Sequence, residues 1–188
     1  MTFVQTSTYS FALLAATLLG AIVTDLQSRR VPNKLILVGT LAALVIHALS
    51  VLAGSTPLAG TAWWSSPAGA AVGFALLLPL HLLRAMGAGD VKLMAMVGAF
   101  IGPACVASAA LYTLLAGGLL ALLFMLGRGV AVQTLVNIRF MLTDQALRRR
   151  SGQSVRLPPL QTTAARLPYA VAIAVGTGAA LVWPLRGF

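Results

Sequence analysis

Acidic residues are scarce in this chain of 188 residues. Glutamate is absent, and the only acids are Asp25, Asp90 and Asp144. Without glutamate the chain cannot form the H-E-x-x-H motif of zinc proteases, and the G-x-S-x-G motif of many serine hydrolases is also missing. Two widespread hydrolytic chemistries are therefore excluded.

Cysteine and charge are equally sparse. Cys105 is the only cysteine, which excludes a disulfide framework and a cysteine metal cluster. Charged residues make up 9% of the chain and hydrophobic residues 59%, and the apolar stretches are long enough to span a bilayer. Residues 1–24 carry no charge and so lack the basic region of a cleavable signal peptide. We expect one integral-membrane domain over residues 1–188.

The apolar stretches predict an all-α, polytopic membrane protein with about six transmembrane helices. Four helices are predicted between charged or Gly- and Pro-containing breaks, at about 8–24, 35–53, 67–84 and 167–185. The uncharged stretch 93–127 is tight for two helices and long for one, and "IGP" at 101–103 offers a turn within it.

The distribution of basic residues favours two helices in that stretch. Segments 25–34, 84–92 and 128–166 then lie on one side of the membrane and hold 12 of the 13 basic residues. A single helix would move seven arginines to the other side, against the positive-inside rule. The net charge of +10 is thereby explained by orientation in the bilayer, and no nucleic-acid partner is expected.

The basic segment 128–166 is the one sizeable predicted extramembrane region. Its apolar residues recur at helical spacing, which is typical of an amphipathic helix on the anionic cytoplasmic leaflet. A solvated basic loop explains the segment equally well. Asp144 lies four residues before Arg148 within it and is interpreted as a solvated ion-pair partner.

Two of the three acids fall at one predicted membrane depth. Asp25 ends the first helix and Asp90 begins the fourth, both on the cytoplasmic side. Each has a structural explanation, because Asp90 can cap a helix and Asp25 can pair with Arg29. Two carboxylates at one depth in so apolar a chain nevertheless favour a functional pair.

A pair of carboxyl groups a few ångströms apart can hydrolyse an amide without a metal or a cofactor. Both groups do not ionise together, so the pair holds one proton. The ionised group takes a proton from the attacking water, and the protonated group polarises the carbonyl. Gly87 and Gly89 lack side chains and would let a substrate strand approach closely.

Four further residues are interpreted from their positions in the sequence. Lys92 either acts on the Asp90 carboxylate or the substrate, or extends to the membrane interface. Asn33 shapes the turn into the second helix, from which its amide can reach the site. His47 and His81 lie in apolar runs without a third ligand nearby and are interpreted as packing or hydrogen-bonding residues. No metal site is expected.

Three segments in order resemble the type IV prepilin peptidase family of membrane aspartic proteases. Asp25 with "RRVPNK" at 29–34 matches that family's Asp, basic stretch and (Ile/Val)-Pro-Asn, and "GAGDVK" at 87–92 matches its G-x-G-D-x-K signature. "LPYAVAIAVG" at 167–176 resembles its last helix.

The resemblance implies that Asp25 and Asp90 form a catalytic pair at the cytoplasmic face of the bacterial inner membrane. The implied partner is a prepilin or pilin-like precursor, whose leader is cut on the cytoplasmic side of its hydrophobic helix. Larger members carry a cytoplasmic domain with two CxxC pairs that is linked to N-methylation. With one cysteine, this chain resembles the short, peptidase-only branch that serves Flp/Tad-type pili.

Two alternatives remain open at this point. The first is a G-x-G-D intramembrane protease of the presenilin or signal-peptide-peptidase kind, but its Tyr-Asp and Pro-Ala-Leu motifs are absent here. The second is a non-enzymatic small transporter or assembly factor. Its expected mark is an acid near the middle of a span, whereas Asp25 and Asp90 both lie at predicted span ends.

Overall fold

The structure, a computed structural model, describes residues 2–83, 86–127 and 168–183, and these residues form helices connected by loops and contain no strand. The helices are α1 (Thr2–Ser28), α2 (Asn33–Leu52), α3 (Ser65–Leu82), α4 (Ala88–Gly127) and α5 (Tyr169–Val182). The predicted all-α fold class is confirmed.

Four helices of the described chain, α1 to α4, are long and apolar enough to cross a membrane. Helix α5 is also apolar but shorter, at 14 residues. Helices α2 and α3 begin and end within two residues of the predicted spans. The count of six spans is not confirmed and stays a prediction.

Helix α4 is interrupted at Gly102. This residue has φ of 77° and ψ of 173°, which are not helical values, and Pro103 follows it at the start of the next helical segment. An unbroken helix of this length would extend roughly 60 Å, twice the thickness of the hydrocarbon core. Glycine is required at this position because of the positive φ, and because a Cβ atom would meet the carbonyl oxygen of Ala59. The predicted turn at 101–103 is therefore present at Gly102.

The two segments of α4 fold back on one another beside α3. A Cβ atom on Gly73 would approach both the Met94 carbonyl oxygen and a methyl group of Val106, one from each segment. Since these two residues flank Gly102 in the sequence and border the same glycine in space, the chain reverses direction between them. The reversal returns the second segment towards the level at which α4 began.

Helix α5 runs antiparallel to the second segment of α4. A Cβ atom on Gly117 would meet the Tyr169 ring, one on Gly176 would meet Thr113, and the Tyr112 hydroxyl donates to the Trp183 carbonyl at 3.1 Å. These contacts pair successive residues of α5 with residues that come progressively earlier in α4, so the two helices run in opposite directions. The start of α5 thus lies at the same end of the bundle as Gly117.

The first segment of α4 lies at the centre of the packing. Its residues Leu93, Met94, Met96 and Val97 are fully buried. Helix α3 approaches it at backbone distance, because a Cβ atom on Gly69 would collide with the carbonyl of Gly98. Small residues permit such close contact between membrane helices, which gains dispersion energy where the hydrophobic effect is weak. This central segment carries Asp90 at its start.

The chain divides into two units. The first comprises residues 1–117 and 168–188, and the second residues 118–167. All contacts described here belong to the first unit. The single-domain interpretation stays a prediction, and the choice between an interfacial helix and a loop for 128–166 falls outside the described residues, as does the role of Asp144.

Candidate active site

Asp25 is buried at the end of α1 and binds the beginning of α5. The residue is 6% exposed, and its Oδ2 accepts a hydrogen bond from the backbone N–H of Ala170 at 3.1 Å. Ala170 is the second residue of α5, where backbone N–H groups have no partner within the helix and carry partial positive charge. The start of α5 therefore neutralises part of the charge on this buried carboxylate.

Helix α1 ends at Ser28, one turn after Asp25. Arg29 has φ of 53°, and its backbone N–H donates to the Asp25 carbonyl at 2.8 Å. A residue in this left-handed conformation terminates a helix while satisfying one of its last carbonyls. The geometry places Asp25 in the last turns of α1, as the charge pattern predicted.

Asp90 lies in the first turn of α4 and is partly buried. Its Oδ2 accepts a hydrogen bond from the backbone N–H of Gly87 at 3.3 Å, and its own N–H donates to the Gly87 carbonyl at 3.2 Å. A side chain that reaches back to the residue before the helix forms one half of a capping box. Asp90 is therefore not the N-cap residue itself, because the helix begins two residues earlier, at Ala88, but one of its carboxylate oxygens does cap the start of the helix.

The carboxylates of Asp25 and Asp90 lie near enough for their charges to interact. The two charges repel one another, although the residues are on different helices. Tyr169 directly precedes Ala170, whose N–H binds the Asp25 carboxylate, and the Tyr169 side chain also experiences the charge of Asp90. The end of α1 and the starts of α4 and α5 thus meet at one end of the bundle.

Lys92 and Asn33 form a contact with each other at the same end. The Lys92 ammonium group donates to the Asn33 side-chain oxygen at 3.3 Å, and both residues are exposed. This hydrogen bond connects the first residue of α2 with the first turns of α4. A site-shaping role for the two residues stays a prediction.

Gly87 and Gly89 differ in their surroundings. A Cβ atom on Gly87 would lie 3.1 Å from the Asp90 Oδ2 atom, so the absence of a side chain lets that carboxylate reach the backbone. A Cβ atom on Gly89 would meet only Val31, at an ordinary contact distance of 3.7 Å. The contact with Asp90 explains Gly87, whereas no close contact explains Gly89, and its predicted role in substrate approach stays a prediction.

Tyr169 and Ala170 were not singled out from the sequence. Tyr169 packs against Gly117, whose position a larger residue could not occupy without displacing the ring. The available signal was Pro168, since proline directly before an apolar run is typical of a helix start, where free N–H groups are found. Pro168 did not indicate which side chain would accept hydrogen bonds from those N–H groups.

The histidines bind backbone carbonyls. His47 Nε2 lies 3.0 Å from the Ala62 oxygen, and His81 Nδ1 lies 3.1 Å from the Met86 oxygen. Because a carbonyl can only accept, these ring nitrogens donate. Over residues 2–83, 86–127 and 168–183, no three His, Cys, Asp or Glu side chains lie together as potential metal ligands.

Long apolar helices with paired acidic groups at one end define the chain as an integral membrane protein with a candidate catalytic centre. The model of the type IV leader peptidase family matches residues 12–126, more than half of the chain, and this range includes both Asp25 and Asp90. The chain belongs to that family and is a membrane peptidase of the prepilin type. No curated protein and no solved structure matches it significantly.

Proposed function

We propose that this protein is an aspartic endopeptidase that removes the leader peptide of type IV prepilin or pilin-like precursors. Asp25 and Asp90 act as a dyad that activates water, at the cytoplasmic face of the bacterial inner membrane. The observation that carries the proposal is the convergence of these two carboxylates, from separate helices, in a chain of the leader peptidase family. Membership of a peptidase family leaves the transporter or assembly factor without support.

The proposed reaction needs one proton shared by two carboxyl groups. The ionised group removes a proton from water as the water oxygen bonds to the scissile carbonyl carbon. The protonated group donates its proton towards the carbonyl oxygen, which gives a neutral tetrahedral intermediate. The group that took the proton from water then donates it to the amide nitrogen, and the carbon–nitrogen bond breaks. The other carboxylate takes a proton from a hydroxyl group of the intermediate, so a carboxylic acid and an amine leave and the pair again holds one proton.

The backbone holds both carboxylates in position. Asp25 is anchored by the Ala170 N–H and Asp90 by the Gly87 N–H, so a backbone donor fixes the orientation of each carboxylate. Fixed N–H donors hold an acid group in a reactive orientation, and such preorganisation lowers the reorganisation needed in the transition state. Gly89, which has no side chain, lets the substrate backbone approach the chain closely in this proposal.

A cleavage assay with product masses tests the proposal. The purified protein, incubated in detergent with a pilin-type precursor, should give two products that correspond to one cut before the hydrophobic helix. Cuts within the hydrophobic helix would indicate an intramembrane protease of the presenilin kind. An intact precursor, with a correctly folded enzyme, would contradict peptidase activity towards this substrate class.

A further inference from the structure

An apolar groove of about 360 Å³ runs between α1 and α5. Helix α1 lines it from Phe11 to Ile22, and helix α5 lines it from Ala174 to Val182. Phe11 and Val182 are more than half exposed, so the groove is open along its outer side. Its volume admits a few apolar side chains of a molecule that lies against it.

One end of the groove adjoins the candidate active site. Ile22 lies one helical turn before Asp25, and Ala174 lies one turn after Ala170, the residue that donates to the Asp25 carboxylate. The twelve residues from Phe11 to Ile22 span roughly 16 Å, about half of the hydrocarbon core. A chain whose scissile bond lies at the carboxylates can therefore continue directly along the groove into the bilayer.

Gly178 lines the groove and has open space around its α-carbon. It lies inside α5, and a Cβ atom there would meet nothing within 4 Å, whereas a Cβ atom on Gly176 would collide with Thr113. Glycine weakens a helix interior relative to alanine, and contacts within the described chain explain it only at Gly176. A glycine facing an open groove lets the backbone of a second helix approach closely.

We propose that this groove binds the hydrophobic helix of the precursor, immediately beyond the bond that is cut. This inference rests on the proposed function and adds the surface that selects the substrate. The site cuts next to a hydrophobic helix, the groove begins one turn from the site, and its lining is apolar as that helix requires. Cleavage then depends on the hydrophobic helix of the precursor, although no bond within that helix is cut.

The groove can be filled by the substitution Gly178→Leu. We expect the ratio of cleavage of the full precursor to cleavage of a short leader peptide without the hydrophobic helix to fall at least tenfold. Gly118→Leu is the matched control, since Gly118 is also an exposed helical glycine with open space around it but does not line the groove. An unchanged ratio in Gly178→Leu would overturn the proposal.

Photo-crosslinking tests the contact without requiring cleavage. A benzophenone side chain in place of Phe11 or Val182, in the Asp90→Asn background, should crosslink to the added precursor. The same group in place of Leu41, an exposed residue of α2 outside the groove, should not. Crosslinks to lipid alone, or equal yields at all three positions, would overturn the groove assignment. Failure of the wild-type protein to cut any precursor would instead count against the proposed function.

Discussion

The two carboxylates of the candidate site are held in different ways. Asp25 is buried and bound by a residue 145 positions away in the sequence, whereas Asp90 is partly buried and bound by Gly87, three positions away. The position of Asp25 therefore depends on how α5 packs, and the position of Asp90 depends on the first turn of its own helix. A change in helix packing should affect the first carboxylate more than the second.

Loss of the shared proton should have the largest effect on the cleavage rate. It removes the acid of the pair, and this does not depend on how each carboxylate is held. We expect cleavage to decline as the pH rises, since deprotonation leaves two ionised carboxylates and no donor for the carbonyl oxygen. A rate profile of the purified enzyme from acidic to alkaline pH measures this.

The same preparation distinguishes the dyad from metal catalysis. EDTA should leave the rate unchanged, because no step of the proposed reaction passes through a metal ion. Loss of activity in EDTA that is restored by added zinc would contradict the metal-free mechanism.

Gly176→Ala should displace helix α5, which supplies the backbone N–H that binds Asp25. The added Cβ atom would collide with backbone atoms of Thr113, which cannot move aside, so α5 must shift and carry the Ala170 N–H with it. Overpacking of this kind costs about 1–3 kcal/mol. We expect a lower melting temperature in detergent and a loss of cleavage.

The matched control for that experiment is Gly178→Ala, two residues further along α5. The added methyl group meets no atom within 4 Å, so the melting temperature should stay the same or rise. Equal melting temperatures for the two variants would show that the contact between Gly176 and Thr113 does not position α5.

Gly87→Ala should have a smaller, local effect, on the hydrogen bond that holds the Asp90 carboxylate. The new Cβ atom would lie 3.1 Å from the Asp90 Oδ2 atom and weaken a hydrogen bond that contributes roughly 0.5–1.5 kcal/mol. We expect kcat to fall up to about tenfold, with little change in melting temperature. A large loss of stability instead would show that the Asp90 carboxylate is held by more than its own first turn.

Gly89→Ala tests whether glycine is needed at this position for substrate binding or for packing of the protein. The methyl group fits beside Val31, so folding should be unaffected. If the substrate backbone passes over Gly89, KM should rise while the melting temperature is unchanged. An unaltered KM would remove Gly89 from the substrate-binding residues.

Lys92→Gln should have the smallest effect. The Lys92 bond to Asn33 is exposed, and such contacts contribute about 0–1 kcal/mol. Glutamine keeps an N–H donor, so stability should barely change, and cleavage should change less than about threefold. A loss of cleavage comparable with that in a carboxylate variant would place Lys92 in the catalytic machinery.

The sequence predicted the features that depend on local patterns. Apolar runs between charges located α2 and α3, and glycine followed by proline located the break at Gly102, because both residues oppose a continuous helix. The common level of Asp25 and Asp90 was predicted from the side of the membrane on which charges cluster.

Features that depend on packing were beyond the sequence. The hydrogen bond from Ala170 to Asp25 joins distant parts of the chain and needs the register between α1 and α5, which neither helix specifies alone. The contact of Lys92 with Asn33 likewise depends on how α2 and α4 meet. The groove has no motif, since its lining residues resemble any lipid-facing apolar surface.

The central claim, that Asp25 and Asp90 act as one catalytic unit, is tested most directly by Asp→Asn substitutions at both positions. An asparagine side-chain oxygen can still accept the Ala170 or Gly87 N–H, so folding and capping should persist. It cannot hold the exchangeable proton. We expect each single variant, correctly inserted, to lose precursor cleavage by a factor on the order of 10³ or more, and the double variant to be little worse.

The matched control in that measurement is Asp144→Asn, which removes the third acid of the chain and should cleave nearly normally. The decisive readout is the cleavage rate of the Asp90→Asn protein, measured beside its melting temperature. A rate near zero at an unchanged melting temperature is the predicted result. A folded, membrane-inserted Asp90→Asn protein that processes its precursor at the wild-type rate would contradict the dyad and leave Asp90 with its capping role alone.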